Sequence, residues 1–429
     1  MTRSVRDSQI LILTESFPYP GGDDFLLEEL PWWLSEFRHV TLMPAHAVGT
    51  PIDVPARVKL DTSLCDDDSH ARRIYWLLRA LAWSWPLVLG ETLPLLAQGK
   101  VGAAASSVKA YTRWVRAVHG IRKLLVSDRV ELIYGYWMNA EAFAAAHLRK
   151  EDGGPFVMSR AHGVDLYEDR WPASHMPLRS KMITGIDRIL PISQAGHEHL
   201  VSLFPWLSER IEVHRLGVAS LTEVSSASGN DEFHVVTVAS CVPIKRLDRV
   251  PLALAAFRDR VPEIRLTWTH IGDGPEMERL REVTRQRLAA GVRVEFLGEI
   301  PPPSVLKHLQ SQRFDLILNV SDSEGVPVAL MEGMACGIPA LGPEVGGIPE
   351  LIKHGVNGWL LPPRPSPDDI AEALVDVWAK SKTLETRRSA VATVRELYSA
   401  TTNYRRLAHD AAAWVGGEEG EPISRQPTR

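Results

Sequence analysis

The chain has 429 residues, of which 45% are hydrophobic and 24% charged. These proportions belong to a soluble globular protein and exclude a disordered, collagen-like or multi-span membrane chain, and the length predicts two domains of about 200 residues each. The net charge is −5, and residues 1–216 carry 24 basic and 25 acidic side chains against 24 and 28 in the rest, so neither half reads as a nucleic-acid module.

The first apolar run, Gln9–Thr14, is short and β-rich and ends in the loop SFPYPGGDD. An amphipathic stretch follows over Phe25–Phe37, then a second apolar run over Val40–Met43. Strand, helix and strand at this spacing predict a parallel α/β unit. Further strands are predicted at Glu131–Tyr134, Phe156–Ser159 and Arg188–Pro191. Residues Gly217–Glu232 (GVASLTEVSSASGNDE) are small, polar and aperiodic, and are read as a linker. Beyond them the alternation restarts. Strands are predicted at His234–Ala239, Ile264–Ile271, Val292–Leu297, Asp315–Val320 and Ile338–Leu341, and helices at Leu247–Arg260, Glu276–Leu288, Pro303–Gln310 and Val328–Ala335. The expected organisation is an α/β domain over 1–216, a linker over 217–232, and a second α/β domain over 233–415. The last helix of the second domain is allowed to pack back on the first, and a polar tail over 416–429 is expected to be disordered. Two doubly wound, mostly parallel sheets are expected to face each other across a cleft, with ligands bound outside the carboxyl ends of their strands.

Three cysteines, Cys65, Cys241 and Cys336, lie far apart with no CxxC pair, which fits a reducing compartment and excludes a zinc ribbon. No signal peptide is read at Met1–Ser8. The uncharged run Ala80–Gly90 is too short to span a bilayer.

The densest chemical signal is Asn319–Pro363 (NVSDSEGVPVALMEGMACGIPALGPEVGGIPELIKHGVNGWLLPP). A strand ends near Val320, the loop SDSEG follows, and a helix begins near Pro327, where proline suits the first turn. Glu324 lies in the loop and Glu332 eight positions later. Eight helical residues span about 12 Å, which suits two ends of an elongated polyhydroxyl ligand. Between them the helix N-terminus offers free N–H groups to a phosphate. The competing reading makes Glu324 a helix-terminus charge and Glu332 a solvated helix residue. The flanking glycines and the strand–loop–helix context favour a site.

With these residues the chain resembles family 4 glycosyltransferases of the GT-B fold: two Rossmann-like, doubly wound domains. The E-x7-E element is Glu324-Gly325-Val326-Pro327 … Met331-Glu332-Gly333-Met334-Ala335-Cys336-Gly337-Ile338-Pro339. A VGG-PE element follows at Val345–Glu350 and an NG-LLPP element at Asn357–Pro363. Arg160–Tyr167 (RAHGVDLY), Pro191-Ile192-Ser193 and Thr269–Gly274 (THIGDG) resemble further family elements. The nearest resemblance is to bacterial capsular and exopolysaccharide enzymes.

The resemblance implies a retaining transfer of a hexose from a nucleotide diphosphate sugar, UDP- or GDP-linked, to a glycan or lipid-linked acceptor. No bound cofactor and no nucleic acid are implied. Glu332 would take the ribose, Glu324 the transferred sugar, and the backbone of Gly325, Val326 and Val328 the diphosphate. Lys245 matches the family's phosphate-binding lysine. An arginine about five positions earlier is common in the family, but Ser240 stands there; Arg246 is a substitute cation or a plain surface charge. His162 would contact the donor sugar. Asp165 would orient it, contact acceptor, or cap a turn. Gly21 and Gly22 would approach the donor phosphate or form a plain turn, and Ile300 would touch the base through its backbone. There is no GxGxxG fingerprint.

The acidic triplet Asp66-Asp67-Asp68 has the letters of a cation-binding motif but reads as a solvated turn, so the reaction is expected to need no metal. A GT-B phosphorylase or epimerase, and a non-catalytic nucleotide-sugar binder, remain the rival readings. Finally, Arg72–Lys123 carries nine basic residues and one acidic, Glu91, interleaved with Tyr75, Trp76, Trp83, Trp85, Tyr111 and Trp114. This describes either a helical excursion with core tryptophans or short helices at an anionic membrane surface, broken at Pro86 and Pro94. The expected location is the cytoplasm, peripheral to the inner face of the membrane.

Overall fold

The β-branched and leucine-rich runs become strands buried on both faces, as parallel sheets covered by helices require. In a computed structural model, residues 8–417 are described apart from 22, 24, 66–68, 153, 222–223 and 289–290. Gly22, the triplet Asp66-Asp67-Asp68, residues 1–7 and the tail from 418 onward therefore lie outside the described residues.

The chain divides into two units. The first comprises Met1–Ile192, Gly196–His214 and Tyr404–Arg429, and the second Ser193–Ala195 and Arg215–Asn403. Unit 1 runs β1 (Gln9–Thr14), α1 (Leu26–Glu36), β2 (His39–Pro44), β3 (Val58–Leu60), α2 (His70–Ala97), α3 (Val101–Ser127), β4 (Leu132–Gly135), α4 (Ala140–Asp152), β5 (Phe156–Ala161), α5 (Gly163–Leu166), α6 (Arg179–Met182), β6 (Arg188–Pro191) and α7 (Gln194–Leu203). Unit 2 runs β7 (Glu232–Val238), α8 (Arg249–Arg260), β8 (Arg265–Ile271), α9 (Met277–Arg287), β9 (Val292–Phe296), α10 (Pro302–Ser311), β10 (Leu316–Leu318), α11 (Val328–Ala335), β11 (Ala340–Pro343), α12 (Ile348–Leu351), β12 (Gly358–Leu361), α13 (Pro367–Val377) and α14 (Leu384–Leu397). The last helix, α15 (Ala400–Gly416), passes from unit 2 into unit 1.

Each unit holds one six-stranded parallel sheet, ordered β3-β2-β1-β4-β5-β6 and β12-β11-β10-β7-β8-β9. Counted within its own unit, each order is 3-2-1-4-5-6, the doubly wound arrangement. In unit 1, one face of the sheet packs on α3 and α4 around Trp114, Ile121 and Phe143, and the other on α1 and α15 around Trp33, Leu407 and Ala411. The core of unit 2 gathers Phe233, Trp268, Phe257 and Leu374. On β5, Arg160 is wholly buried with Glu29 (Nη1–Oε1 2.8 Å). Tyr134, Tyr136 and Tyr404 surround its guanidinium at 5.7–6.0 Å. Burial pushes Glu29 above the ordinary carboxylate value against the pull of Arg160.

Two strands were not expected, β3 and β12. Each is an edge strand of three or four residues, too short for a pattern to stand out. The stretch read as a linker is anchored in unit 2 instead. The Val218 amide reaches the Tyr398 carbonyl (2.9 Å), and Ser225 bonds the Cys336 carbonyl through both its amide (2.9 Å) and its hydroxyl (2.7 Å). The segment after Ser69 is kinked as expected near Pro86. Helix α2 consists of two helical stretches that meet at Ser84 (φ −125°, ψ 22°), whose hydroxyl bonds the Ala80 carbonyl (2.7 Å), while Pro94 is accommodated within the second stretch. Of the nine basic residues in that region, Arg113 and Arg116 face inward. Arg113 pairs with Glu15 and Glu141, both at 2.8 Å, and Arg116 is buried. Tyr111 and Trp114 are core.

Candidate active site

In unit 2 the loops that leave the carboxyl ends of β7 and β10 meet. After β7 a short turn holds Lys245, and the amide of Asp322 donates to the Ile244 carbonyl (2.9 Å), which ties that turn to the loop after β10. Lys245 Nζ lies 2.6 Å from Glu324 Oε1. The same carboxylate oxygen accepts from the Ser321 hydroxyl (2.7 Å) and the Asn319 amide (3.0 Å). Asn319 is fixed in turn, its Oδ1 accepting from the Ser321 amide (3.0 Å). Glu324 is buried, and burial alone would raise its pKa. The Lys245 ammonium and the hydrogen bonds outweigh this and hold it below the ordinary value. The result is a buried, ionised carboxylate with a cation beside it.

The next turn of chain has no slack. The Gly347 amide donates to the Gly325 carbonyl (2.6 Å). A Cβ on Gly346, whose φ is +54°, would stand 1.9 Å from the Glu324 carbonyl oxygen, and one on Gly347 would stand 2.5 Å from Val326 Cγ2. Only glycine lets the 346–347 backbone close over Gly325 and Val326, which are both buried. Val328 opens α11 behind Pro327, Gly333 lets that helix press on Ile317, and Gly337 ends it with φ +77°. On α11, Glu332 has no hydrogen-bond or ion-pair partner among the described residues. Burial pushes its carboxyl up to about 7.

Arg246 is turned away from Lys245. It sits in the left-handed region (φ +49°) and spends its guanidinium on Asp248 (3.2 Å) and Asp322 (3.1 Å). Ser240 is exposed one residue before Cys241, and Ile300 is half-buried between β9 and α10. Glu350 of the VGG-PE element accepts from the amides of Gln194 and Ala195 (both 2.9 Å) and from Arg215 (3.0 Å).

In unit 1 the loops after β1, β4 and β5 converge. His162 follows β5, is buried, and leans on Trp137 (ring centroids 4.2 Å apart) and Tyr136 (5.2 Å). Asp165 accepts from the backbone amides of His162 and Met138, the latter at 2.8 Å. It therefore fastens the loop, while its carboxylate stands 3.9 Å from His162 Nδ1. Trp137 donates through its indole to Asp23, which also accepts from the amides of Ser16 (2.7 Å) and Phe17 (3.3 Å). Gly21 closes that first loop with φ +152°, where a Cβ would stand 2.3 Å from Ser16 Oγ.

The structure thus brings Lys245, Glu324, Gly325 and Val326 into one cluster, and Gly21, His162 and Asp165 into another through Asp23 and Trp137. Sequence reasoning missed Asn319 and Ser321 as partners of Glu324. Both stand within five residues of it, but nothing in their identity distinguishes them from ordinary loop residues.

Two nucleotide-binding-type sheets of identical order, with a buried Lys–Glu pair at the strand ends of the second, define an α/β protein of the GT-B class. Two solved structures show the same fold over nearly the whole chain. The lipopolysaccharide outer core galactosyltransferase WaaB is 17% identical, with a TM-score of 0.65 over 95% of this chain and 99% of its own. Anabaena Alr3699/HepE in complex with UDP-glucose is 16% identical, with a TM-score of 0.64 over 94% and 99%. Residues 222–395 match the family described as Glycosyl transferases group 1, and unit 2 accordingly carries a glycosyltransferase group 1 domain. Among curated proteins, the putative colanic acid biosynthesis glycosyltransferase WcaL of Salmonella typhimurium is 31% identical over 208 residues, 47% of this chain and 50% of that protein. The chain spans about half the length of such curated relatives in these matches.

Proposed function

We propose that the protein is a glycosyltransferase of exopolysaccharide biosynthesis. It moves a hexose, with retention of anomeric configuration, from a nucleotide diphosphate sugar to a glycan or lipid-linked acceptor. The observation that carries this reading is the buried, ionised Glu324 held by Lys245, Ser321 and Asn319 at the mouth of α11. Exopolysaccharide assembly is supported by the colanic acid relative, and a UDP-sugar donor by the UDP-glucose complex of the structural neighbour.

In this reading the amides at the start of α11 and the Lys245 ammonium receive the diphosphate. The leaving nucleoside diphosphate gains negative charge as the glycosidic bond breaks, and a fixed cation opposes that charge most strongly in the transition state. Glu324 takes hydroxyls of the transferred sugar, and Glu332 takes the paired hydroxyls of the ribose. His162 contacts the donor sugar, and Asp165 holds its loop. The sequence offers no obvious carboxylate nucleophile, which favours attack on the face the diphosphate leaves, the phosphate accepting the acceptor's proton. Lys245 and the helix N-terminus supply the charge stabilisation that a divalent cation would otherwise give, so the reaction runs without metal and without a resident cofactor, in the cytoplasm.

The test is a panel of UDP- and GDP-sugars offered to the full chain with lipid-linked and free glycan acceptors. Release of nucleoside diphosphate should depend on acceptor, and the product's anomeric proton coupling should match the donor's. Binding of every sugar nucleotide without turnover would support the non-catalytic binder. Inversion of the anomeric centre would refute the retaining mechanism.

A further inference from the structure

At the β6 edge of the first sheet stands a group of ligating side chains that the transfer site does not use. Past α7 the chain comes back beside β6 in extended form. The Glu212 amide donates to the Ile189 carbonyl and the His214 amide to the Pro191 carbonyl, both at 3.0 Å. Residues two apart in extended chain point to the same side, and Glu212 and His214 do so. Asp410, on α15, meets them there. His214 Nε2 stands 3.4 Å from Glu212 Oε1 and 3.9 Å from Asp410 Oδ2, and the three ligand atoms lie within 4.8 Å of one another.

The imidazole is the telling member. His214 is only 4% exposed, and its Nε2 is buried without a hydrogen bond among the described residues. Its approach to Glu212 has the distance of an ion pair but not the geometry of a hydrogen bond. A buried nitrogen left in that state is costly in a core histidine. The ring is also held in place, with Trp414 edge-on to it at 5.8 Å and Arg188 over that indole at 5.4 Å. A preset ring nitrogen facing two carboxylate oxygens is the donor set of a divalent cation. Around a tetrahedral zinc with ligands at about 2.0–2.2 Å, neighbouring ligand atoms stand about 3.5 Å apart. The His214–Glu212 spacing already meets this, and the others close by movements of about 1 Å in two side chains that are only partly buried.

Arg406, one turn before Asp410 on α15, now bridges the two carboxylates, at 3.4 Å from Glu212 and 3.3 Å from Asp410. Its side chain is 53% exposed, so it can leave for solvent when a dication takes its place. One imidazole with two carboxylates suits zinc, whereas magnesium and calcium take oxygen ligands.

We propose that Glu212, His214 and Asp410 form a structural zinc site that pins α15 to the segment after β6. Three protein ligands leave the fourth position to water. The ion would tie together residues nearly 200 positions apart, all within unit 1. The site shares no residue with the Lys245–Glu324 or His162 clusters. A chelator should therefore lower Tm without abolishing transfer at temperatures where the chain stays folded.

The full chain is stripped with a chelator, exchanged into metal-free buffer and unfolded with and without zinc chloride. With zinc at about 100 times its Kd, Tm should rise by about 5–10 °C. Elemental analysis should find one zinc per chain, and cobalt(II) should give the intense visible absorption of a four-coordinate site. Glu212→Gln and Asp410→Asn keep the side-chain shapes at partly exposed positions, so both should fold, lose the rise in Tm and lose the cobalt spectrum. Arg406→Gln separates a metal site from a plain ion-pair cluster. Removing the competing cation should tighten zinc binding by about tenfold, whereas a cluster that only pairs charges would lose stability and gain no affinity. An unchanged wild-type Tm in zinc, a rise that Glu212→Gln and Asp410→Asn retain, or a zinc affinity that fails to increase in Arg406→Gln would overturn the proposal.

Discussion

Glu332→Gln separates a site carboxylate from an ordinary helix residue. Burial without a partner pushes Glu332 from its ordinary 4.5 up to about 7. The unfolded chain releases this proton near pH 4.5, while the folded chain keeps it until near neutrality. Between those values the folded state binds more protons, so the residue's contribution to stability falls as pH rises through the window. Below pH 4.5 nothing is lost; above 7 the full cost is present. A displacement of about 2.5 pH units at about 1.4 kcal/mol each comes to roughly 3 kcal/mol, somewhat less where water reaches the group. Glutamine has nearly the shape of the protonated acid and does not titrate. Wild type and Glu332→Gln should therefore differ by less than about 1 kcal/mol at pH 5, and the variant should be more stable by about 2–3 kcal/mol at pH 8.5. That is about 5–10 °C in Tm for a unit of this size. Thermal unfolding across pH 5–8.5 measures it, and calorimetric titration with UDP supplies the functional half. Wild-type affinity should rise as the acid ionises and accepts from ribose hydroxyls, while the variant should bind weakly at every pH. A stability gap that does not change between pH 5 and 8.5 would refute the reasoning.

Lys245→Met should lower turnover by on the order of a hundredfold and also lower Tm, because it strands the buried Glu324 charge. Adding Glu324→Gln should restore Tm without restoring turnover, whereas near-wild-type turnover of the single variant would remove Lys245 from the mechanism. Glu324→Ala alone should cut transfer while leaving UDP affinity largely intact; equal loss of both would merge the roles given to the two glutamates. His162→Ala should damage transfer with little change in Tm, and a collapse of Tm would make the ring a structural wedge against Trp137. Transfer should survive excess EDTA, and its abolition with rescue by magnesium or manganese would overturn the metal-free reading.

Much of the fold was legible in the sequence, because strands buried on both faces leave unbroken apolar runs. Gln9–Thr14 and Arg188–Pro191 form strands at the residues expected. What escaped were the edge strands β3 and β12, whose pairing comes from one neighbour and needs no marked pattern. At the site, Glu324 stood out through its spacing from Glu332 and its glycines. Asn319 and Ser321 did not, since their role arises only when the loop folds back on itself. The Arg72–Lys123 segment shows the same limit from the other side. Its composition marked it as unusual, yet only packing sorted it, sending Arg113, Arg116 and Trp114 inward and leaving Leu78, Trp85, Leu89, Leu93 and Leu96 outside.

The return of α15 to unit 1 sets an order of events during synthesis. Tyr404 closes the aromatic ring around Arg160, and Leu407, Ala408, Ala411 and Ala412 complete the core beneath β1 and β2. These residues emerge some 210 positions after Ile192, the end of the unit's first segment. At about 5–20 residues per second the ribosome needs roughly 10–40 s to deliver them. For that interval the nascent first unit holds a buried-type arginine without Tyr404 and an apolar sheet face covered by α1 but not yet by α15. Unit 2 is translated meanwhile and has all of its own strands before the first unit has its last helix. A stop codon placed before Tyr404 would therefore injure the beginning of the protein, not its end.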